Sequence, residues 1–334
     1  MNPRRPTIHD VAREAGVSKS TVSLVLQESQ TVRAETREAV RQVMARIGYV
    51  YNRAAANLRG GKVGLIGLVI NDLRNPFFTE FATSVQMALS ERGFATVVAN
   101  TDEDPRLQAQ VIESMIGHGV SALVISPVYG AAAGFDLLAR AGIAVLQVLR
   151  KGSEAGGFPF AAPDFERGGR LAALHLVTQG ARRIAFAGGL AGRPVTAERM
   201  AGYLEAMAET GQAPLTFAGR ASRAFGREVA LELARDHPDV DGVICFNDLV
   251  ALGILSGCAE LGRKVGPGFR VVGFDDIEEC QQSYPKLTSV HCDVAGFGRR
   301  TAEMLLKWLA EGVPPPHETR TDVRLIARES SDVA

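Results

Sequence analysis

At 334 residues the chain is too long for one small core and long enough for two or three compact units. Its 46% hydrophobic content is ordinary for a globular protein, and no apolar run reaches the length needed to span a bilayer. The formal charge is zero but uneven: residues 1–60 hold ten cations (Lys19 and nine arginines) against five carboxylates, so the first sixth is net basic and the rest net acidic.

A basic module on an acidic body implies a partner that is a polyanion; a solvated surface with scattered charge is the plainer alternative. Arg4 and Arg5 are not followed by an apolar stretch, which argues against a secretory signal. Cys245, Cys258, Cys280 and Cys292 are scattered without CxxC spacing. They read as reduced thiols of a cytoplasmic protein, with no disulfide framework, metal site or cofactor expected.

Thr7 can cap a first helix, with Asp10 in its first turn and Ile8, Val11, Ala12 and Ala15 on one buried face. Gly16 permits a tight turn, and VSKSTVSLVLQ follows at once, with Ser18 able to cap it. Val22, Val25 and Leu26 form a buried stripe, while Ser20, Leu24 and Gln27 fall opposite, with Ser23 on the flank. A third helix fits Ala34 to Ile47, and Gly48 stops it. Two short helices about a glycine turn spell helix-turn-helix, whose second helix enters the major groove. Lys19 and Ser20 can hydrogen-bond bases or phosphates, and Leu24 can pack on a thymine methyl. The other role for Leu24 is to cover the third helix or a dimer neighbour.

Asn52 to Arg59 is alanine-rich and precedes Gly60-Gly61. Such a segment favours helix but is too short to hold one alone in water, which suits a linker ordered only with help. From Val63 onward, strand and helix signals alternate: GLIGLVIN, FATVVAN, ALVISP and AVLQVL, then RIAFAGG, GVICFN and RVVGFDD. That rhythm predicts parallel sheets covered by helices, enough for two doubly wound α/β units. The stretch 158–164 reads as a crossing between them and 289–293 as a return.

Ligands in such sheets sit beyond the carboxyl ends of the strands. Those ends supply Asn71-Asp72, Asn100, Arg150, Asp164, Asn247-Asp248 and Asp275-Asp276, with Phe77 and Phe78 as an apolar wall. Each has a duller role. Asn247 or Asp248 can cap a helix, Phe77 and Phe78 can be core, and Arg199 can pair with Glu198 or Glu205. There is no GxGxxG after a strand, no GxxxxGK[ST] loop and no GxSxG elbow. His291-Cys292-Asp293 lies on a strand-like segment, where neighbours point to opposite faces. An enzyme, with catalytic residues, is therefore not expected. A small-molecule-binding protein without DNA function is the alternative kept open.

TIHDVAREAGVSKSTVSLVLQ and the stretch TREAVRQVMARIGYVYNRAAANLRGGKVGLIGLV resemble the N-terminus of LacI/GalR-family bacterial transcription regulators. NPFF, RMAGY, CFNDLVALG, VVGFDD and IARESS continue the resemblance along essentially the whole chain. It implies a helix-turn-helix head over 1–48 and a hinge helix and linker over 49–61. It also implies two periplasmic-binding-protein-like subdomains, one over 62–162 and 292–326 and the other over 163–291, then a tail over 327–334. By resemblance, Lys19, Ser20 and Leu24 read bases, while Thr7, Ser18, Thr21, Ser23, Thr36 and Tyr49 hold phosphates. Thr7, Ser18 and Thr36 could instead be caps or turn residues. Two hinges would pair as helices on DNA, with Leu58 wedging between base pairs and Asn52 and Ala55 lining the same minor groove. Tyr51 stands where proline is common in the family.

The family's effector contacts fall on Arg199, Asn247 and Asp275, with Asn71, Phe77, Phe78, Arg150 and Asp164 also placed for the ligand. Leu149 stands where the family often has aspartate, and Phe165 where it often has asparagine. This departs from a pocket for a neutral, many-hydroxyl sugar, and Arg150 and Arg199 point to an acidic metabolite; the expected effector is sugar-like or sugar-acid-like. The expected partners are a near-palindromic operator duplex, a small-molecule effector and a second copy of the chain, with no membrane. Dimerisation is expected through helices of the first subdomain. The tail after Ile326 is too short for a heptad bundle.

Overall fold

The computed structural model describes residues 6–26, 29, 31–49, 64–130, 132–152 and 157–332. The expected hinge contacts Asn52, Ala55 and Leu58 lie outside the described residues. The chain divides into two units, Met1–Gly64 and Leu65–Ala334.

In the first unit α1 spans Ile8–Glu14, α2 Lys19–Leu26 and α3 Ala34–Ile47. Thr7 closes a capping box: its backbone N–H donates to Asp10 Oδ2 at 2.8 Å, and Asp10 N–H donates back to its hydroxyl. The Thr7 hydroxyl also donates to Asp10 Oδ2, at 2.7 Å, and this bond first, then that from the Thr7 N–H, holds the Asp10 carboxyl below its usual range. Gly16 takes φ +66°, the left-handed turn between α1 and α2 that a Cβ would strain. Ser18 starts α2, accepting from Thr21 N–H at 3.0 Å. Val11, Ala12, Val22, Val25, Val32 and Val40 bury a core of short apolar side chains. Thr36 is neither cap nor turn: α3 begins at Ala34, so Thr36 lies in its first turn.

The second unit is two six-stranded sheets. Strands β1 (Leu65–Ile70), β2 (Ala95–Asn100), β3 (Val120–Ile125), β4 (Ala144–Val148) and β5 (Phe160–Pro163) alternate with α4 (Pro76–Glu91), α5 (Pro105–Gly117) and α6 (Ala132–Ala141). After α7 (Phe165–Thr178) come β6 (Ile184–Ala187), α8 (Pro194–Thr210), β7 (Leu215–Phe217), α9 (Arg223–Asp236), β8 (Gly242–Cys245) and α10 (Asp248–Glu260). Then follow β9 (Arg270–Asp275), α11 (Glu279–Gln282), β10 (Thr288–His291), α12 (Val294–Glu311), β11 (Glu318–Thr321) and β12 (Arg324–Ile326). The orders are β11-β5-β4-β3-β1-β2 and β12-β10-β9-β8-β6-β7. Every pairing is parallel except β10 with β12. In register, Leu65 faces Ala95 on β2, and Ile184 faces Gly242 on β8. The near-continuous apolar strands, such as Val271 and Val272 of β9, are what a sheet covered on both faces requires.

Sheet membership moves two expected boundaries. The chain returns to the first sheet for β11 but crosses again at 322–323, because β12 pairs antiparallel with β10 in the second sheet. Residues 324–326 therefore belong to the second subdomain and not the first. Nor do residues 327–332 form a free tail. Ser330 and Ser331 are fully buried, and the Ser330 hydroxyl donates to Val271 O at 2.6 Å while accepting from Thr288 N–H. Four short strands, β5, β7, β11 and β12, are not legible as strands, since FAAP, LTF, ETRT and RLI are too brief to show a period.

Candidate functional site: a cleft at the strand ends and an exposed helix face

Both sheets reverse direction at their second strand in space, β1 in one and β6 in the other. Loops leaving the carboxyl ends of adjacent strands diverge there, which is where a doubly wound sheet opens a crevice. A cavity of about 480 Å³ occupies that place, lined from the first sheet by the segments after β1 to β4 and from the second by those after β6 to β9.

At its floor Arg199 of α8 is only 4% exposed. One guanidinium nitrogen donates to Asp275 Oδ1 at 3.0 Å and another to the Phe246 carbonyl. The rings of Phe274, Phe165 and Phe246 surround it at 3.9, 4.7 and 4.7 Å. A planar cation on aromatic faces, with one bonded carboxylate, is a stable way to bury charge. Its Nε–H has no partner among the described residues. So Arg199 pairs with Asp275, and the alternatives Glu198 and Glu205 are taken elsewhere, by Arg320 and Arg170.

Asp275 has φ +114°, a left-handed value costly for a residue with a Cβ and found where surrounding structure over-determines the backbone. Burial pushes its carboxyl up, against the pull of Arg199. Behind it Asp248 is fully buried and accepts from the Ser289 hydroxyl at 2.6 Å and Ile277 N–H at 3.0 Å. Burial first, and then the nearby Asp275 charge, push the Asp248 carboxyl up to about 7. Asn247 both lines the cavity and caps α10, accepting from Val250 N–H at 3.1 Å.

On the first-sheet side Phe77 and Phe78 line the cavity in edge-to-face contact, and Asn75 caps their helix. Arg150 lines it too, bonded to both oxygens of Glu103 at 2.7 and 2.9 Å. Leu149 and Phe165, the two apolar departures, are both part of the lining. Two expected ligand contacts are taken out of the cavity. Asn71 is fully buried and spends its amide on Pro127 O and the Ser126 hydroxyl. Asp164 caps α7 through Arg167 N–H at 3.0 Å. Three lining residues that the sequence did not single out are Tyr129, Arg193 and Arg220. All three sit in loops whose approach to the cleft is set by tertiary packing, so no local pattern marks them. The triplet His291-Cys292-Asp293 disperses: His291 bonds Asp276, Cys292 is buried, and Asp293 caps α12.

In the head, Lys19, Ser20 and Leu24 are all exposed on α2, and Leu24 keeps 39% of its surface in water. Val22 and Val25 are buried beneath them. Leu24 therefore does not cover α3.

The family model for the lacI family of bacterial regulatory proteins matches residues 7–52, and that for a periplasmic binding protein-like domain matches 173–331. Over 344 aligned residues the chain is 30% identical to the HTH-type transcriptional regulator CelR of Thermobifida fusca, covering 98% of each. The chain belongs to the lacI family of bacterial regulatory proteins. A second relative of this lacI-family chain is the maltose regulon regulatory protein MalI of Escherichia coli. It is 31% identical over 288 residues, 85% of this chain and 83% of that one. Among solved structures, a lac repressor dimer bound to operator and the anti-inducer ONPF matches with a TM-score of 0.86 and 26% identity, covering 98% of this chain and 99% of that chain. A CelR–cellobiose complex matches with a TM-score of 0.72 and 29% identity, covering 98% and 100%. The lacI-family chain is a DNA-binding transcriptional regulator, and among the described residues no helix is long and apolar enough to cross a membrane.

Proposed function

We propose that this lacI-family chain acts as a homodimeric repressor that grips a near-palindromic operator and changes its grip when a small polar metabolite enters the cleft. The observation that carries it is the cleft itself: a buried, charge-matched arginine beneath ligand-sized space, in the same chain as an exposed helix-turn-helix face. In the head, Lys19, Ser20 and Leu24 read bases, with Leu24 resting on a thymine methyl. Thr7, Ser18, Thr21, Ser23, Thr36 and Tyr49 fix register on phosphates, which carries no sequence information. The caps that Thr7 and Ser18 make are compatible with this, since a hydroxyl has further lone pairs. Asn52, Ala55 and Leu58 act in the minor groove.

In the cleft, Arg199, Asp275 and Asn247 hold hydroxyl or carboxyl oxygens of the ligand, between Phe77, Phe78 and Arg150. The free Nε–H of Arg199 supports this, because a buried donor without a partner costs stability until an oxygen reaches it. The protein binds its ligand without transforming it, a reading supported by relatives that are named as regulators. It works in the cytoplasm, where its duplex is. A second copy docks on exposed apolar surface of the first sheet, where Val97 and Val98 of the edge strand β2 and Met87 of α4 lie open.

Selection of random duplexes by the full-length chain tests the proposal. We expect enrichment of a symmetric sequence; enrichment of none, with or without metabolites, overturns it. On the enriched duplex, Leu24→Ala should relax preference at one base pair per half-site by about 1 kcal/mol. Unchanged binding across all base substitutions removes Leu24 from base reading.

A further inference from the structure

Two arginines lining the cleft have no carboxylate to answer them. Asp72 and Asp102 are both claimed by Arg74, Glu103 by Arg150 and Asp275 by Arg199. Arg193 and Arg220 line the same cavity, and neither makes an ion pair among the described residues. Arg193 only lies over the Tyr129 ring, at 5.1 Å. The arginines that first suggested an acidic ligand, Arg150 and Arg199, are thus already neutralised. The surplus positive charge is elsewhere.

The surplus is built into one lip. Arg193 ends the loop after β6, and Arg220 follows β7. Those two loops are stitched together by Gly188 N–H to Phe217 O at 2.8 Å and Gly219 N–H to Gly189 O at 3.1 Å. Gly189 has φ +81°, and a Cβ there would lie 2.7 Å from both Phe246 and Thr196, so only glycine lets the loop settle this deep. Arg193 is also the N-cap residue of the 17-residue helix α8. It offers no side-chain cap, and Pro194 follows at the first helical position. The positive end of that helix, through Val195 and Thr196, faces the same cavity. Opposite lie the apolar Phe77 and Phe78.

We infer that the ligand enters with an anionic end of several oxygens, a phosphate monoester or a dicarboxylate, held by Arg193 and Arg220 at the start of α8. This rests on the cleft being the effector site and adds what that effector must carry. A neutral sugar would fill the floor and leave two guanidiniums without a counter-charge as the cleft dries around it. An anion with several oxygens answers both guanidiniums and the net positive charge of the cleft, by charge-assisted and bidentate hydrogen bonds.

The test uses the full-length chain, calorimetry, and two probes, sodium phosphate and sodium malonate, against sodium chloride at matched ionic strength. At least one probe should bind in the wild type, and whichever binds names the class of anion. Its affinity should fall at least tenfold in R193Q/R220Q and stay unchanged in R140Q, an exposed control on α6. If neither probe binds beyond chloride, or if R193Q/R220Q binds as the wild type does, the inference is overturned. Duplex selection with the same preparations keeps the two questions apart. A chain that enriches a symmetric duplex but ignores both anions remains a regulator without this anion site. A chain that binds an anion but enriches no duplex keeps the anion site and loses the regulator.

Discussion

The floor and the lip of the cleft hold arginines in opposite circumstances. Arg199 at the floor is out of water, ringed by three phenylalanines and bonded to Asp275. Arg193 and Arg220 at the lip are exposed and make no ion pair among the described residues. A charge that is buried must be matched within the protein before any ligand arrives, or the fold does not tolerate it. A charge at the lip costs the fold little and is free to wait for a partner from outside. The floor therefore tells more about stability, and the lip more about what the cleft selects.

The strongest way to break that contrast is to remove the matching at the floor. Arg199→Leu keeps an apolar volume among the three rings but leaves Asp275 buried and alone, next to a second buried carboxyl at Asp248. Removing one partner of a buried pair costs about 3–5 kcal/mol. Urea denaturation of the isolated protein should register a loss of that order. A loss below about 1 kcal/mol would mean that the floor is as well solvated as the lip, and the distinction would fail.

How far these two places could be foreseen follows from how local their causes are. The head was legible almost to the residue. Thr7 with Asp10, Ser18 at the start of α2, and Ala34 to Ile47 before Gly48 are short-range capping and period signals. Leu24 stood out because one helical turn fixes which way it points. The floor was partly legible. Asp275, Asn247 and Arg199 sit at strand ends or on a recurrent motif, and all three reach the cavity. Asn71 and Asp164 look the same in sequence, but Asn71 turns inward to Pro127 and Asp164 caps a helix at Arg167, choices made by neighbours 56 and three positions away. The lip was not legible. Its geometry depends on pairing between loops after β6 and β7, and β7 is three residues long. Nothing near Arg220 in the chain announces that it lines the same cavity as Arg193.

A second test sharpens the comparison through protons. Burial, then the Asp275 charge, raise the Asp248 carboxyl from its ordinary 3.8 to about 7 in the folded chain. A carboxyl raised on folding binds its proton more tightly in the native state. Its contribution to stability is present in full below about pH 4 and fades as the pH climbs to about 7. Asp275 is shifted in the same direction. The half-buried Asp10 and the exposed Glu260, whose range is lowered, slope the other way, so the total curve mixes both signs. The difference between wild type and Asp248→Asn isolates the group. Asparagine imitates the neutral carboxyl, so the variant should gain on the wild type between pH 4 and pH 7, by up to about 4 kcal/mol. A difference that is flat with pH, or that runs the other way, would show that the floor carries no excess of buried negative charge.

The smallest effect belongs to the lip, and its smallness is the point. Arg193→Gln and Arg220→Gln each remove a charge that makes no ion pair among the described residues, from a side chain already in water. Substitutions of that kind stay within about 0.5 kcal/mol. Arg193→Gln forfeits a ring contact with Tyr129, but Arg150 occupies the same ring at 5.3 Å and relieving two like charges on one phenol offsets the loss. Thermal or urea unfolding of each variant should therefore overlay the wild type, while Arg199→Leu unfolds far earlier. Should either lip variant instead cost more than about 2 kcal/mol, its guanidinium would be holding the loops after β6 and β7 together, and the lip would be part of the scaffold in the same sense as the floor.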